Sequence, residues 1–316
     1  MSLEFDRTHW ALILGGSSGF GLAAAHALAR RGMNVAISHR DRRGAMPAIE
    51  REFERIRETG VGFASINGDA LTPEGRASIL ETLTGAMGEL GRVRLLMHSI
   101  AFGNLRPIAP VAPAAQPAAR ARARVAEALG VSPEALGQVI QAVASEGGAD
   151  ALYALCDPPD LDPELLLEEE DFARTVHAMG TSLAAYTHAL FSGGLFASDA
   201  RVLAMTSEGN EVAWRGYAAV SAAKAALESV SRSIAREFGP YGVRSNIVQA
   251  GITDTPALRL IPGSERMKAD ARLRNPLGRL TTPDDVANVI CLLCTDEARW
   301  MNGAIVRVDG GERIAR

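Results

Sequence analysis

A phenol and an ammonium stand seven positions apart in Tyr217-Ala-Ala-Val-Ser221-Ala-Ala-Lys224. They open a run that reads as a helix from Tyr217 to Phe238, stopped by Gly239-Pro240. On a helix both i+4 and i+7 return near the starting face, but the rise differs, ~6 Å against ~10.5 Å. A phenol there can donate to an oxygen that gains charge during a reaction, and an ammonium nearby adds positive charge. A second feature binds rather than reacts. Gly15-Gly-Ser17-Ser18-Gly19-Phe20-Gly21 joins a short apolar strand to a helix. Glycines at such a turn let backbone amides approach a pyrophosphate, and the helix N-terminus favours its negative charge. Its place at the first turn of a β-α-β unit makes a nicotinamide-type dinucleotide site the expectation.

The end of the second strand bears on the cofactor. Ser38-His39-Arg40-Asp41-Arg42-Arg43 has no acid at the strand end itself, and three arginines follow. An acid there would accept from a free ribose 2′-hydroxyl and repel a 2′-phosphate, whereas guanidinium groups suit a phosphate dianion. NADPH is expected over NADH, with His39 and Arg40 at the site.

The elements that must position these residues alternate from the N-terminus. Ala11–Leu14 is a strand, Leu22–Arg31 a helix, 35–37 a strand, 47–59 a charged helix and 61–66 a strand ending at Gly68-Asp69. Another helix precedes the strand 93–97. This order predicts an α/β fold, a Rossmann-type doubly wound parallel sheet. The pattern breaks between 104 and 170. Pro107-Ile-Ala-Pro-Val-Ala-Pro-Ala-Ala-Gln-Pro cannot be strand or continuous helix. Ser132-Pro133-Glu134 then reads as a helix start, and Leu136, Val139, Ile140 and Val143 form one apolar stripe. Cys156-Asp-Pro-Pro-Asp-Leu-Asp-Pro closes the segment with turn residues. The segment is thus a largely helical insertion within a single Rossmann-type domain spanning 1–316. Helix 172–190, strand 201–205, the Tyr217 helix, strand 243–248 and strand 304–309 resume the pattern.

The 316 residues are nearly half apolar and carry a net charge of only -4. No basic tail points to nucleic acid, and no apolar run approaches the ~18 residues of a membrane span. The N-terminus lacks a signal-peptide core, so a cytoplasmic protein is expected. Cys291 and Cys294 form a CxxC inside an apolar helical stretch without a second Cys/His pair. Buried small side chains, rather than a metal site, are expected. His98, His177 and His188 are expected to be structural.

These motifs together resemble the short-chain dehydrogenase/reductase family over residues 9–104 and 171–313. The 15–21 turn, after Leu14, is similar to the family's TGxxxGxG. Gly68-Asp69-Ala70 resembles its adenine-contacting aspartate, Gly251-Ile-Thr253-Asp-Thr255 its nicotinamide loop, and Val308-Asp309-Gly310-Gly311 its usual ending. The intervening insert lies outside the common pattern. Most members carry Tyr-x-x-x-Lys, but here i+4 is Ser221. The Tyr-x6-Lys spacing resembles the bacterial enoyl-acyl-carrier-protein reductases. His98-Ser99-Ile100-Ala101-Phe102-Gly103 is similar to the NADH-dependent branch. Lys224-Ala-Ala-Leu-Glu and Ala257-Leu258 resemble the NADPH-dependent branch known from Bacillus, which also lacks the extra tyrosine that would fall at Ser207.

The resemblance implies that Lys224 binds the nicotinamide ribose and that Ser99, Ile100, Ala101, Gly251, Thr253 and Thr255 line the cofactor. It also implies a homotetramer and a place in fatty-acid-type metabolism. The proton-relay asparagine of many ketone reducers falls at Met179, and the serine that usually assists the tyrosine at Ala204. A thioether cannot replace an amide in a relay. Thr206 and Ser207 remain as hydroxyl donors, and Ser207 joins Tyr217 and Lys224 as a catalytic candidate. An enoyl thioester takes hydride at C3 while charge develops on the C1 oxygen, which a displaced tyrosine suits. The expected activity is NADP(H)-dependent reduction of a 2-enoyl thioester carried by acyl carrier protein or coenzyme A. The alternatives are a carbonyl reductase or alcohol dehydrogenase on the same fold, and a non-catalytic dinucleotide-binding protein. The insert follows the fourth strand at the ligand-binding edge of the sheet. It reads either as a lid or acyl-chain wall, with Arg120, Arg122 and Arg124 toward phosphates or an acidic carrier, or as a peripheral decoration or oligomer contact.

Overall fold

A computed structural model of the chain describes residues 4–110, 117–146, 148–156, 161–162 and 164–315. Seven parallel strands form one sheet: β1 (His9–Leu14), β2 (Asn34–His39), β3 (Phe63–Asn67), β4 (Arg92–His98), β5 (Phe196–Thr206), β6 (Val243–Ala250) and β7 (Ile305–Val308). Their order is β3-β2-β1-β4-β5-β6-β7. Helices α1 (Gly19–Ala29), α2 (Met46–Arg57) and α3 (Pro73–Met87) connect the first four strands. The insert contributes α4 (Pro117–Leu129), α5 (Pro133–Glu146) and a 3-10 segment, Asp150–Leu155. Then come α6 (Glu169–Val176), α7 (Ser182–Ser192), α8 (Ala218–Glu237), α9 (Pro256–Arg259), α10 (Ser264–Arg274) and α11 (Pro283–Leu293).

The central strands are buried on both faces, so their sequences run apolar without alternating. Alternate residues still go to opposite layers. Ile13, Ile37, Met97 and Leu203 join a core with residues of α1, α2 and α11. Leu12, Leu14, Leu96 and Val202 join another with residues of α3, α7 and α8. The winding direction reverses between β1 and β4, and the crevice beyond their carboxyl ends is where ligands enter such sheets.

Three local readings are corrected. The expected helix 172–190 is broken by a π-turn at His177–Thr181. There it crosses α8 so closely that a Cβ on Gly180 would lie 2.9 Å from the Ala223 carbonyl oxygen. Strand β5 begins at Phe196, five residues before the apolar run at 201–205, and its pairing with β4 shifts register between Val93 and Leu95. In α5 the buried face is Leu136, Ile140 and Ala144; Val139 and Val143 point outward, because the helix rests on its neighbours along a narrow strip. Of the proline-rich stretch, residues 111–116 lie outside the described residues, as do 157–160 and 163 of the closing turn. Cys291 and Cys294 are fully buried, and burial pushes their thiols up to about 11 and about 12. No cluster of three or more metal-ligating side chains occurs among the described residues, and no described helix is long and apolar enough to cross a membrane.

Candidate active site

Six loops at the carboxyl edge of the sheet build the site. The first runs from β1 into α1. Gly15 has φ +82°, and a Cβ there would meet the Ser99 carbonyl oxygen at 2.7 Å; one on Gly21 would meet the Gly15 carbonyl oxygen at 2.2 Å. Glycine at both positions is therefore a packing requirement. Ser18, the N-cap of α1, makes no side-chain capping bond, so no side chain competes for the amides at the helix start. Ser17 and Phe20 flank this turn, and Phe20 packs onto the core beneath it. The second loop follows β4, where the Ser99 amide donates to the Leu14 carbonyl at 2.9 Å. Ile100 is half-buried against the core, and Ala101 is exposed. The third loop, after β6, faces the first: Thr255 Cγ2 would lie 3.6 Å from a Cβ on Gly19. Thr255 caps α9 through the Leu258 amide at 3.2 Å, and Thr253 Oγ1 donates to the Gly251 carbonyl at 2.9 Å. These glycine cradles and facing loops fit a bound dinucleotide.

At the ends of β2 and β3, Asp69 accepts from the Leu71 amide at 3.0 Å and from Arg40 at 2.8 Å. The Leu71 amide and Arg40 together hold its carboxyl below the usual range, against the opposing effect of burial. Ala70 follows, its carbonyl accepting from the Tyr186 hydroxyl at 2.8 Å. The exposed Arg40 guanidinium also lies 4.6 Å above the Phe102 ring. Arg40, Asp69 and Phe102 thus meet across the crevice. The His39 side chain does not join them. It is buried, edge-on to Phe53 and 2.9 Å from Asp41.

The reactive end combines β5, the loop after it and α8. Tyr217 is the N-cap of α8 rather than a residue inside it, with φ -109° and ψ 4°. Its carbonyl accepts from the Ser221 amide at 2.8 Å, which sets the helix register. The ring packs with Leu105, Met179 and Val220, and a Cβ on Gly209 would sit 2.4 Å from its Cε1. Burial raises the Tyr217 pKa, opposed by the neighbouring Ser207 hydroxyl. Ser207 Oγ is buried and makes no hydrogen bond of ordinary geometry, so this is a close approach rather than a formed bond. Lys224 is 7% exposed, and its Nζ donates to the Met205 carbonyl at 2.8 Å. Burial lowers its pKa to about 8, partly countered by Glu228. The structure thus gathers Tyr217, Ser207 and Lys224 around the end of β5. Met179 sits in the π-turn, and Ala204 is enclosed within β5.

His98 lies behind this group. It is fully buried and 2.9 Å from Ser182 Oγ; burial, with the Lys224 charge, lowers its pKa to about 3. It is neutral at any ordinary pH. His177 contacts the Leu71 carbonyl and His188 contacts Ser192.

Residues with no site role expected from the sequence support the loop after β5. Glu228 accepts from Thr206 at 2.9 Å and from Asn210 at 2.6 Å, tying both ends of that loop to α8. Its position four residues after Lys224, on the same helix face, was the available signal. Arg274, at the end of α10, bonds Glu208 and also Glu312 in the C-terminal tail, the latter at 2.6 Å. Glu312 in turn accepts from the Ile252 amide at 3.1 Å. No local pattern marks this trio, because its members are far apart in sequence.

Comparison with known proteins agrees with this architecture. A family model described as enoyl-(acyl carrier protein) reductase matches residues 132–312, and one described as short chain dehydrogenase matches 9–122. The 1-cyclohexenylcarbonyl-CoA reductase of Streptomyces collinus is 26% identical over 98% of this chain and 88% of its own length. Matches to several other curated relatives are confined to 35–42% of those proteins. A short chain dehydrogenase of Burkholderia cenocepacia J2315, solved with NADP, superposes with TM-score 0.69 at 21% identity, covering 99% of this chain and all of the other. An enoyl-(acyl-carrier-protein) reductase of Anaplasma phagocytophilum, solved with NAD, gives 0.66 at 18% identity, covering 100% and 95%. The chain belongs to the short-chain dehydrogenase/reductase family, matched over its larger part by the enoyl-(acyl carrier protein) reductase model.

Proposed function

We propose that this protein reduces the C=C bond of a 2-enoyl thioester with NADPH, the acyl group being carried by coenzyme A or acyl carrier protein. The observation that carries the reading is the environment of Tyr217. Its phenol is raised in pKa by burial, stays protonated at neutral pH, and sits among apolar side chains, with a thioether, Met179, where a relay amide would stand. Such a group suits hydrogen-bond donation to an oxygen gaining charge better than repeated proton exchange with solvent.

In this mechanism the glycine cradle and the facing 251–255 loop hold the dinucleotide, which supplies the hydride when bound. Lys224, fixed by the Met205 carbonyl, would hold the ribose hydroxyls of the dinucleotide and supply positive charge there. Tyr217 donates to the thioester oxygen and stabilises the enolate as C3 accepts hydride; a proton taken from solvent at C2 completes the saturation. Arg40, the exposed cation at the end of β2, is the group proposed to meet a 2′-phosphate. The similarity to a reductase named for a cyclic enoyl-CoA makes 1-cyclohexenylcarbonyl-CoA a substrate to test beside straight-chain thioesters.

The unpaired Ser207 hydroxyl beside Tyr217 favours a second reading, carbonyl reduction with Ser207 assisting the phenol. NADPH oxidation with crotonyl-CoA, 1-cyclohexenylcarbonyl-CoA and acetoacetyl-CoA separates the two. Turnover of either enoyl substrate supports C=C reduction. Turnover of the keto substrate alone supports the second reading, and tight NADPH binding without turnover of any supports a non-catalytic role.

A further inference from the structure

The insert stands on two feet. At the first, its ends are stapled together: the Leu167 amide donates to the Pro107 carbonyl at 2.9 Å, and Asp171 accepts from Asn104 at 2.7 Å and from Arg106 at 2.8 Å. This neck lies beside the catalytic tyrosine, because Leu105 packs in the same cluster as Tyr217. At the second foot, the 3-10 segment meets α10. Arg272 grips Asp150 with two parallel bonds, Nε to Oδ2 at 2.8 Å and Nη2 to Oδ1 at 2.5 Å. Ile140 and Tyr153 of the insert enclose Ala269 of α10, which is 0% exposed. Helix α10 is itself joined to the catalytic loop, through Arg274 and Glu208. A second apolar cluster, with Met267, Leu258 and Trp214, links α9 and α10 to the segment just before Tyr217.

We propose that Asp150 and Arg272 form a clasp that sets substrate selectivity by holding the insert as a strap between the neck and α10, on the acyl side of Tyr217. The assignment of that side as the acyl side rests on the thioester reading above. A bidentate guanidinium–carboxylate pair is directional and fixes one orientation of the two elements, which a loose apolar contact alone would not. The pair is partly buried, with side chains 30% and 13% exposed, so solvent screens it less than a surface pair. Among the described residues, neither Asp150 nor Arg272 bonds to the glycine cradle, and the clasp's effect falls on the acyl group; other residues of α10 meet the 251–255 loop, as Lys268 does at Asp254.

The test uses the full-length enzyme with Asp150→Asn, Arg272→Gln and the reversed pair Asp150→Arg with Arg272→Asp. The measurements are KM for crotonyl-CoA, Kd for NADPH by fluorescence titration, and amide hydrogen exchange. Each single substitution is expected to raise KM at least threefold, leave the NADPH Kd within twofold, and speed exchange in both 148–156 and 264–274. The reversed pair is expected to recover both effects. Unchanged KM in the singles, a parallel rise in the NADPH Kd, or no recovery in the reversed pair would overturn the clasp. If the wild-type enzyme turns over neither enoyl nor keto thioester, the thioester reading fails on its own. Hydrogen exchange then decides the clasp: joint loosening and joint recovery of the two segments sustain it, and independent behaviour refutes it.

Discussion

The Lys224 ammonium donates to the Met205 carbonyl at 2.8 Å, so α8 is bonded to the end of strand β5 through its only buried cation near the candidate site, among the described residues. This bond fixes the charge in place, while burial makes that charge costly and lowers the pKa to about 8. The sign follows. The ammonium form is present below about 8, and its charge is lost as pH rises through that value.

kcat/KM for NADPH, which reports ionisations of the free enzyme, should therefore fall on the alkaline side with an apparent pKa near 8. Lys224→Arg should move that limb out of range, since guanidinium does not titrate there. A profile flat to pH 9.5 in the wild type would contradict the assignment.

The same burial predicts a separation of activity from stability. A folded pKa below the unfolded one means that burying the charged lysine destabilises the fold at neutral pH, and that the penalty is relieved as pH rises through about 8. Lys224→Met should lose at least a hundredfold in kcat/KM yet melt no lower than wild type at pH 7, read by calorimetry. A large fall in Tm would show the lysine to be structural.

Tyr217→Phe keeps the ring packed on Gly209 and removes only the hydroxyl. It should lower kcat by about 10²–10³, the loss typical of one oxyanion-stabilising donor, with the NADPH Kd unchanged by titration. Ser207→Ala should cost much less if C=C reduction is the activity. A loss equal to that of Tyr217→Phe would favour carbonyl reduction.

At the opposite end of the sheet, Asp199 accepts from Arg94 at 2.7 Å, from Arg201 at 2.6 Å and from Arg244. Arg201 is fully buried and also donates to the carbonyls of Leu293, the last residue of α11, and of Thr295 just beyond it. Removing the carboxylate leaves buried guanidinium unpaired, so Asp199→Ala should destabilise the fold by about 3–5 kcal/mol, measured by urea unfolding. Burial tends to raise the Asp199 pKa, but the arginines outweigh it and hold it low. Its contribution is thus present above the ordinary carboxylate range and lost as pH falls through the depressed value.

Much of this arrangement is legible in the sequence, and the exceptions have physical causes. The glycine turn, the alternating strands and the Tyr217–Lys224 spacing are local patterns, so the parallel sheet and the place of the glycine turn at its carboxyl edge follow from them. The π-turn at His177–Thr181 is set by close crossing with α8, and the inward turn of His39 by the Phe53 pocket. Both depend on tertiary neighbours that no local pattern reveals. The insert's helices announce themselves by capping residues and stripes, but its docking site does not. Asp150 and Arg272 are 122 residues apart. Arg274, Glu208 and Glu312 join for the same reason: the fold, not the spacing, brings them together.

The position of hydride delivery tests the account most directly. Crotonyl-CoA incubated with NADPH deuterated at the transferred position, followed by mass spectrometry and NMR of the product, should give butyryl-CoA carrying deuterium on C3. Unchanged crotonyl-CoA, with deuterium found only on the carbinol carbon of 3-hydroxybutyryl-CoA formed from acetoacetyl-CoA, would contradict it.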